Sequence, residues 1–198
     1  MDNIPKPIRD VVFIEADPEK NAIKHLAPGV DIIIDTAFEP HATENVTQDG
    51  VVLQPPSKLR GGERVDLKAG DKVYTHHFLC DEDQSLELEG KKFYQLAYQM
   101  CYCRIREGKM KMLGDWNFIE PPKKEKEKTT NSGIIYNLAP ASKEPQVGIA
   151  RHINEKMREW GVSEGDSVYF TINSDYEILV EGKKYWRMRN VDIMGIKE

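Results

Sequence analysis

The sequence predicts an all-β fold, two tandem small β-barrels with long loops and little helix, and three observations predict it. Short β-branched and aromatic runs recur between turn signals about 8–12 residues apart. One series of such runs and turns occurs twice along the chain. Helical periodicity is confined to one short candidate, in which Ile153, Met157 and Trp160 share a face.

The repeat rests on three blocks. Ala69-Gly70-Asp71-Lys72-Val73-Tyr74 matches Glu164-Gly165-Asp166-Ser167-Val168-Tyr169 at an offset of 95. Glu89-Gly90-Lys91-Lys92-Phe93-Tyr94 matches Glu181-Gly182-Lys183-Lys184-Tyr185-Trp186 at an offset of 92, and Ile8-Arg9-Asp10-Val11-Val12-Phe13-Ile14-Glu15 matches Leu113-Gly114-Asp115-Trp116-Asn117-Phe118-Ile119-Glu120 at 105. Changing offsets between blocks are what surface loops of unequal length produce. The boundary falls near the Arg106-Glu107-Gly108-Lys109 turn, giving expected domains 1–107 and 108–198.

Each element follows from local chemistry. Residues 11–14 and 116–119 open the repeats as β-branched and aromatic strands. Residues 72–79 and 167–172 follow Gly-Asp turns, and 86–88 and 177–180 lead into Glu-Gly-Lys-Lys hairpin signals. Strands at 93–98 and 185–188 then end in 101–105 and 193–196. The glycines and aspartates at 70, 71, 165 and 166 read as turn formers rather than catalytic groups.

Composition narrows the function. A chain of 198 residues with 39% hydrophobic and 31% charged residues can hold one ordinary domain or two small ones. The net charge of −5 lacks the basic footprint that phosphate backbones require, so a nucleic-acid partner is not expected. No segment approaches the ~20 apolar residues that cross a bilayer, and no membrane partner is expected. Cys80, Cys101 and Cys103 form no disulfide framework, which fits a reducing, cytoplasmic location.

Five segments of the second repeat carry a family resemblance. They are the opening strand Gly114-Asp115-Trp116-Asn117-Phe118-Ile119-Glu120, the loop Glu127-Lys128-Thr129-Thr130-Asn131-Ser132-Gly133-Ile134-Ile135-Tyr136, and Pro145-Gln146-Val147-Gly148-Ile149. Val162-Ser163-Glu164-Gly165-Asp166-Ser167-Val168 and Val191-Asp192-Ile193-Met194-Gly195-Ile196 complete the set. In this order they resemble a GroES-type co-chaperonin subunit, and the first repeat shares the opening strand, the Gly-Asp turn and the hairpin. The chain therefore resembles a tandem, double-domain member of that family. The resemblance implies a ring-shaped homo-oligomeric lid that binds a GroEL-like chaperonin through mobile loops and closes its folding chamber. It implies no catalysis and no cofactor, ATP being bound by the partner, and no phosphate-binding Gly-x-x-x-x-Gly-Lys-Ser/Thr loop occurs here.

The mobile loop of the resembled family falls at about residues 123–145. Lys123, Lys124, Glu125, Lys126, Glu127 and Lys128 are charged and Thr129 to Gly133 small and polar, so this stretch has too little apolar area to offset its ordering cost. Gly133, Ile134, Ile135 and Tyr136 then stand as the chaperonin-binding residues, three apolar side chains on a polar tether. The competing reading of so short an apolar run is an ordinary barrel strand. In the first repeat Ile32, Ile33 and Ile34 occupy the corresponding place; they read equally as a second docking segment or as a core strand, because Asp31, Asp35 and Pro28-Gly29 depart from the family's loop.

Other candidate chemistry is weaker. Cys101 and Cys103 share a strand face, with His76, His77 and Cys80 in the same repeat, but zinc ligands usually stand about two to four residues apart, so no metal is expected. Asp81, Glu82 and Asp83 lack the remainder of a calcium loop. Trp116 and Trp186 read as core or subunit-interface residues. Two other functions compete: a structural ring or collar protein, as in viral assembly, that reuses the barrel without a chaperonin, and an alcohol-dehydrogenase-like enzyme. The enzyme needs a Gly-x-Gly-x-x-Gly nucleotide-binding half that this chain lacks.

Overall fold

The computed structural model describes residues 4–17, 23–27, 30–33, 49–76, 84–88, 90–121 and 146–197. The chain runs through β1 (Val11–Glu15), β2 (Ile23–Ala27), β3 (Val30–Ile33), β4 (Asp49–Gln54), β5 (Lys72–Thr75), β6 (Ser85–Leu88), β7 (Lys91–Ala97), β8 (Cys101–Arg106) and β9 (Lys109–Met112). It continues through β10 (Trp116–Glu120), β11 (Val147–His152), helix α1 (Glu155–Glu159), β12 (Ser167–Phe170), β13 (Tyr176–Val180), β14 (Lys183–Arg189) and β15 (Ile193–Ile196). The fold is all-β, with two main sheets consistent with two GroES-like barrels.

The second sheet repeats the first six strands of the seven-stranded first sheet in order. One runs β6-β7-β1-β4-β5-β8-β9 and the other β13-β14-β10-β11-β12-β15, while β2 and β3 pair only with each other. Registers repeat too. Phe13 faces Gln54 and Ile14 faces Val52 with a bulge between them, and Phe118 faces His152 and Ile119 faces Ala150 with a bulge at the same step. A second matched bulge separates Tyr74 and Thr75 in one sheet and Tyr169 and Phe170 in the other. A bulge re-aims the side chains beyond it, so two matched bulges keep both sheets curved alike.

The Gly-Asp blocks explain part of this identity. Gly70 and Gly165 hold φ of +87° and +102°, a region that costs a side chain but not glycine. Each turn is closed by its aspartate: Lys68 N donates to Asp71 Oδ2 at 2.7 Å, and Ser163 N to Asp166 Oδ2 at 2.8 Å. Asp71 is buried and also accepts from Arg106 Nε and Nη2, each at 2.6 Å. Burial pushes its pKa up, but the hydrogen bonds from Arg106 and Lys68 outweigh that and hold the carboxyl below its ordinary range.

The core has three parts. Val12, Ile14, Val52, Val73 and Leu96 fill the first sheet, and Ile119, Ala150, Ile153, Met157 and Met188 fill the second. The third part lies between the sheets, where Tyr74, Tyr102 and Cys103 meet Trp116, Phe118, Ile178 and Tyr185. Strand β9 falls beyond residue 107 yet pairs with β8, Cys103 against Met112 and Arg104 against Lys111. The turn at Glu107 and Gly108, both at positive φ, thus joins two strands of one sheet.

The second sheet has one polar device the first lacks. Where the first repeat has Val12 and Tyr98, the second has Asn117 and Asn190, both buried. Asn190 Oδ1 accepts from Asn117 at 2.8 Å and from Asn154 at 2.7 Å, and Asn117 Oδ1 accepts from Asn154 N at 2.9 Å. Asn154 Oδ1 caps α1 by accepting from Met157 N at 2.9 Å. Ile153 and Met157 are buried as the periodicity requires, whereas Trp160, one turn on, stays 57% exposed beneath Lys156.

Removing the cap and these donors together, Asn154→Ala should cost about 2–3 kcal/mol, read as a lower urea midpoint at unchanged slope. The Asp71 contribution has a definite sign: a carboxyl whose folded pKa is depressed stabilises fully above its unfolded value and loses that stabilisation as pH falls through the folded one. The stability difference between wild type and Asp71→Asn should therefore be present at about pH 7 and shrink below about pH 4.

Candidate functional site

Two features stand out as candidates: the roots of the long connections and the joint between the sheets. Residues 122–145 connect β10 to β11, and these strands are neighbours in register, Glu120 against Ile149. Residues 16–48 make the equivalent connection from β1 to β4, with Glu15 against Val51. Gly133, Ile134, Ile135 and Tyr136 lie outside the described residues, as does Ile34. Ile32 and Ile33 belong to β3, which pairs with β2 apart from the seven-stranded sheet.

The roots are built from close approach. A Cβ on Gly50 would stand 2.5 Å from Ile14 Cγ2 and 2.6 Å from the Glu15 carbonyl. Gly148, its equivalent at an offset of 98, meets Ile119 in the same way, with Trp186 and the Glu120 carbonyl beside it. Only glycine lets these strands cross so tightly where the long connections leave. Glu120 and Arg151 form an ion pair across the second root. Beneath it Phe118 stacks on Tyr185 at 5.5 Å, and His152 meets Tyr185 edge-on. Burial lowers the His152 pKa and raises that of Tyr185, so both rings are neutral near pH 7.

At the joint, the Tyr102 and Trp116 rings meet edge to face at 4.7 Å. The Arg187 guanidinium lies 4.9 Å from the Tyr102 ring centre and 5.9 Å from that of Trp116, and the indole N–H donates to the Gln99 carbonyl at 2.8 Å. Glu181, in the β13–β14 turn, accepts from Tyr74 Oη at 2.8 Å and Lys72 Nζ at 2.6 Å. Burial works against the Lys72 charge, but the bond to Glu181 prevails and raises its pKa. Lys111 ties Asp66, at 2.7 Å, to Glu155, at 2.9 Å.

The sequence pointed to Trp116 as a core or interface residue, and it is one. Glu181 it had marked only as part of a hairpin turn, and nothing local marks its role across the joint. Cys101 and Cys103 are fully buried, and desolvation pushes the Cys101 thiol up to about 12 and raises Cys103 as well. They sit in two different parts of the core, one within the first sheet and one at the joint. His76 donates its backbone N–H to the Met100 carbonyl, while His77, Cys80 and the acidic residues 81–83 lie outside the described residues.

The chaperonin 10 kd subunit family matches residues 109–197. The co-chaperonin GroES of Rhodothermus marinus is 38% identical over 97 residues, which is 46% of this chain and 93% of that protein. The chain belongs to the chaperonin 10 family. The family match covers the strands β9 to β15, so in this chaperonin 10 chain the loop root at Glu120 and Gly148 and the second-repeat half of the joint lie within the matched region. The family is not an enzyme family. Among the described residues, no helix is long and apolar enough to cross a membrane.

Gly148→Val should force β10 and β11 apart at the loop root and cost about 1–3 kcal/mol. A thermal scan should show that loss, and an unchanged midpoint would mean that the close approach is dispensable.

Proposed function

We propose that this chain is a cytoplasmic co-chaperonin made of two GroES-like domains in tandem, that its copies join into a ring, and that the ring caps a GroEL-like chaperonin. The observation that carries the reading is the matched strand order, register and bulges of the two sheets, one of which lies in the family-matched region. A domain division near residue 107 follows, with β9 handed across the joint.

Docking is assigned to Gly133, Ile134, Ile135 and Tyr136. Because β10 and β11 are adjacent, their connection leaves and returns at one place, and no strand can be inserted between them. Three apolar side chains contribute about 1.5–3 kcal/mol each when buried, while ordering some six residues costs about 1–2 kcal/mol each. One loop is therefore weak, and several on one ring gain about 10²–10⁴ through effective concentration. Such a clasp releases when the ATP-driven partner weakens every site slightly. The segment around Ile32, Ile33 and Ile34 stands at the equivalent connection and is a second docking candidate.

Assembly has its own support. β8 carries β9 on its outer side, whereas its equivalent β15 ends its sheet. Leu113 N donates to the Tyr102 carbonyl, so by strand alternation the N–H groups of Lys109 and Lys111 face β8 and those of Met110 and Met112 face away. At the offset of 105, Ile4, Lys6 and Ile8 match the inward-facing positions, and Pro5 and Pro7 match the outward-facing ones. Prolines so placed leave one pairing edge intact and block the other. Residues 4–8 of one copy thus suit the β15 edge of the next, by strand addition. Ile8, 78% exposed, would be covered there as its equivalent Leu113 is covered within the chain.

Capture on an immobilised chaperonin with ATP or ADP tests the docking. Wild type should bind in a nucleotide-dependent way, and Ile134→Asp combined with Ile135→Asp should abolish binding while far-UV spectrum and oligomer size stay unchanged. Equal capture of both proteins would remove these residues from docking, and no capture of either would favour a collar without a chaperonin.

A further inference from the structure

We propose that the β6–β7 hairpin is the arm by which one copy grips the next, closing over its Tyr169 face, and that Lys197 supplies there the cation that Lys72 supplies inside the chain. The inference deepens the head-to-tail assembly proposed above and rests on it. Within the chain the β13–β14 hairpin is such an arm. Ile178 and Val180 on β13 are 5% and 1% exposed and share a core with Tyr74 and Tyr102 of the first repeat. At the tip of this hairpin Glu181 accepts from Tyr74 Oη at 2.8 Å and from Lys72 Nζ at 2.6 Å.

The β6–β7 hairpin is built alike. Leu86 faces Phe93 and Leu88 faces Lys91, as Ile178 faces Tyr185 and Val180 faces Lys183. The turn glycines Gly90 and Gly182 hold φ of +75° and +76°, and in the sequence each follows a glutamate, Glu89 and Glu181. Leu88, at the place of Val180, is 37% exposed. The face such an arm would cover is open on the second sheet, where Tyr169 is 39% exposed against 3% for its equivalent Tyr74. One chain thus carries both uncovered halves of a joint that it closes once internally, and a second copy is the occupant that fits each half to its counterpart.

The contact at the tip carries over with one exchange. Tyr169 keeps the phenol of Tyr74 and Glu89 the carboxylate of Glu181, but Ser167 stands where Lys72 does. Lys72 faces Ile105 on β8. Lys197 N donates to the Ser167 carbonyl at 2.7 Å, and the register of Tyr169 against Gly195 and Val168 against Ile196, continued one step, sets Lys197 opposite Ser167. Opposed residues of an antiparallel pair project to the same face with Cβ atoms about 4.5–5.5 Å apart. Exchanging Lys72 and Ile105 for Ser167 and Lys197 therefore moves the cation across the ladder and keeps it on the joint face. Two other polar contacts do not carry over: Arg187, over the Tyr102 ring, has Gln95 as its equivalent, and Asp66, which holds Lys111, has Gly161. Charge recognition between copies thus falls to the hairpin tip.

Sedimentation velocity over a dilution series of the full chain tests this. Leu88→Asp should weaken chain-to-chain association about tenfold or more with an unchanged far-UV spectrum. Lys197→Glu and Glu89→Lys should each weaken it about tenfold, and the two combined should restore it to within about threefold of wild type, because the reversed charges attract again. Indifference to Leu88→Asp, or a combined variant no tighter than the single ones, would overturn the inference while leaving assembly standing. Absence of any wild-type association would overturn the assembly reading and the inference with it.

Discussion

The edge of the Tyr102 ring against Trp116, with the Arg187 guanidinium laid across both, joins two sheets whose own interiors are small. Each sheet encloses a handful of buried aliphatic residues, and a barrel of under a hundred residues has little apolar area to set against its conformational entropy. The third part of the core supplies what each lacks, drawing on both repeats. Strand β9 makes the arrangement compulsory, because it pairs with β8 and leads directly into β10. The orientation of one sheet on the other is thereby fixed by a hydrogen-bonded ladder as well as by packing.

That arrangement explains why the molecule has a direction. A face built of β5 and β8 is covered within the chain by β9 and the aromatic residues of the second repeat. The same face on the second repeat, built of β12 and β15, keeps Tyr169 and Met194 in solvent. A heterologous surface of this kind closes into a ring when the rotation allows it. In the proposed ring the loop roots at Gly50 and Gly148 would recur at equivalent positions, which is what a multivalent clasp needs. In the proposed function the chemistry of folding belongs to the partner, and this chain contributes geometry.

Much of the fold was legible because the repeated blocks are turn chemistry. Glycines at 70 and 165 and the aspartates after them can do little else, and the Glu-Gly hairpins mark where β13 meets β14. Strand β4 was not legible, since Asp49-Gly50-Val51-Val52 shares only its glycine with the equivalent β11, and that glycine answers a tertiary contact with Ile14. The β2–β3 pair was hidden by an apolar run equally readable as core or loop. The joint was half legible: Trp116 announces burial by its type, but Glu181 looks like a solvated turn residue until Lys72 and Tyr74, more than a hundred positions away, are brought to it. The Asn117, Asn154 and Asn190 network was invisible for the same reason, because a satisfied buried amide has no signature until its partners are known.

If the shared core governs the fold, the two sheets cannot unfold independently. Hydrogen exchange of the full chain in rising denaturant measures this directly, by comparing the opening free energies of β5 amides in the first sheet with those of β12 amides in the second. The account predicts that the two sets merge into one opening with a common denaturant dependence, and that Trp116→Ala lowers both together. Two sets that open at separate denaturant concentrations, with Trp116→Ala affecting only the second, would contradict it.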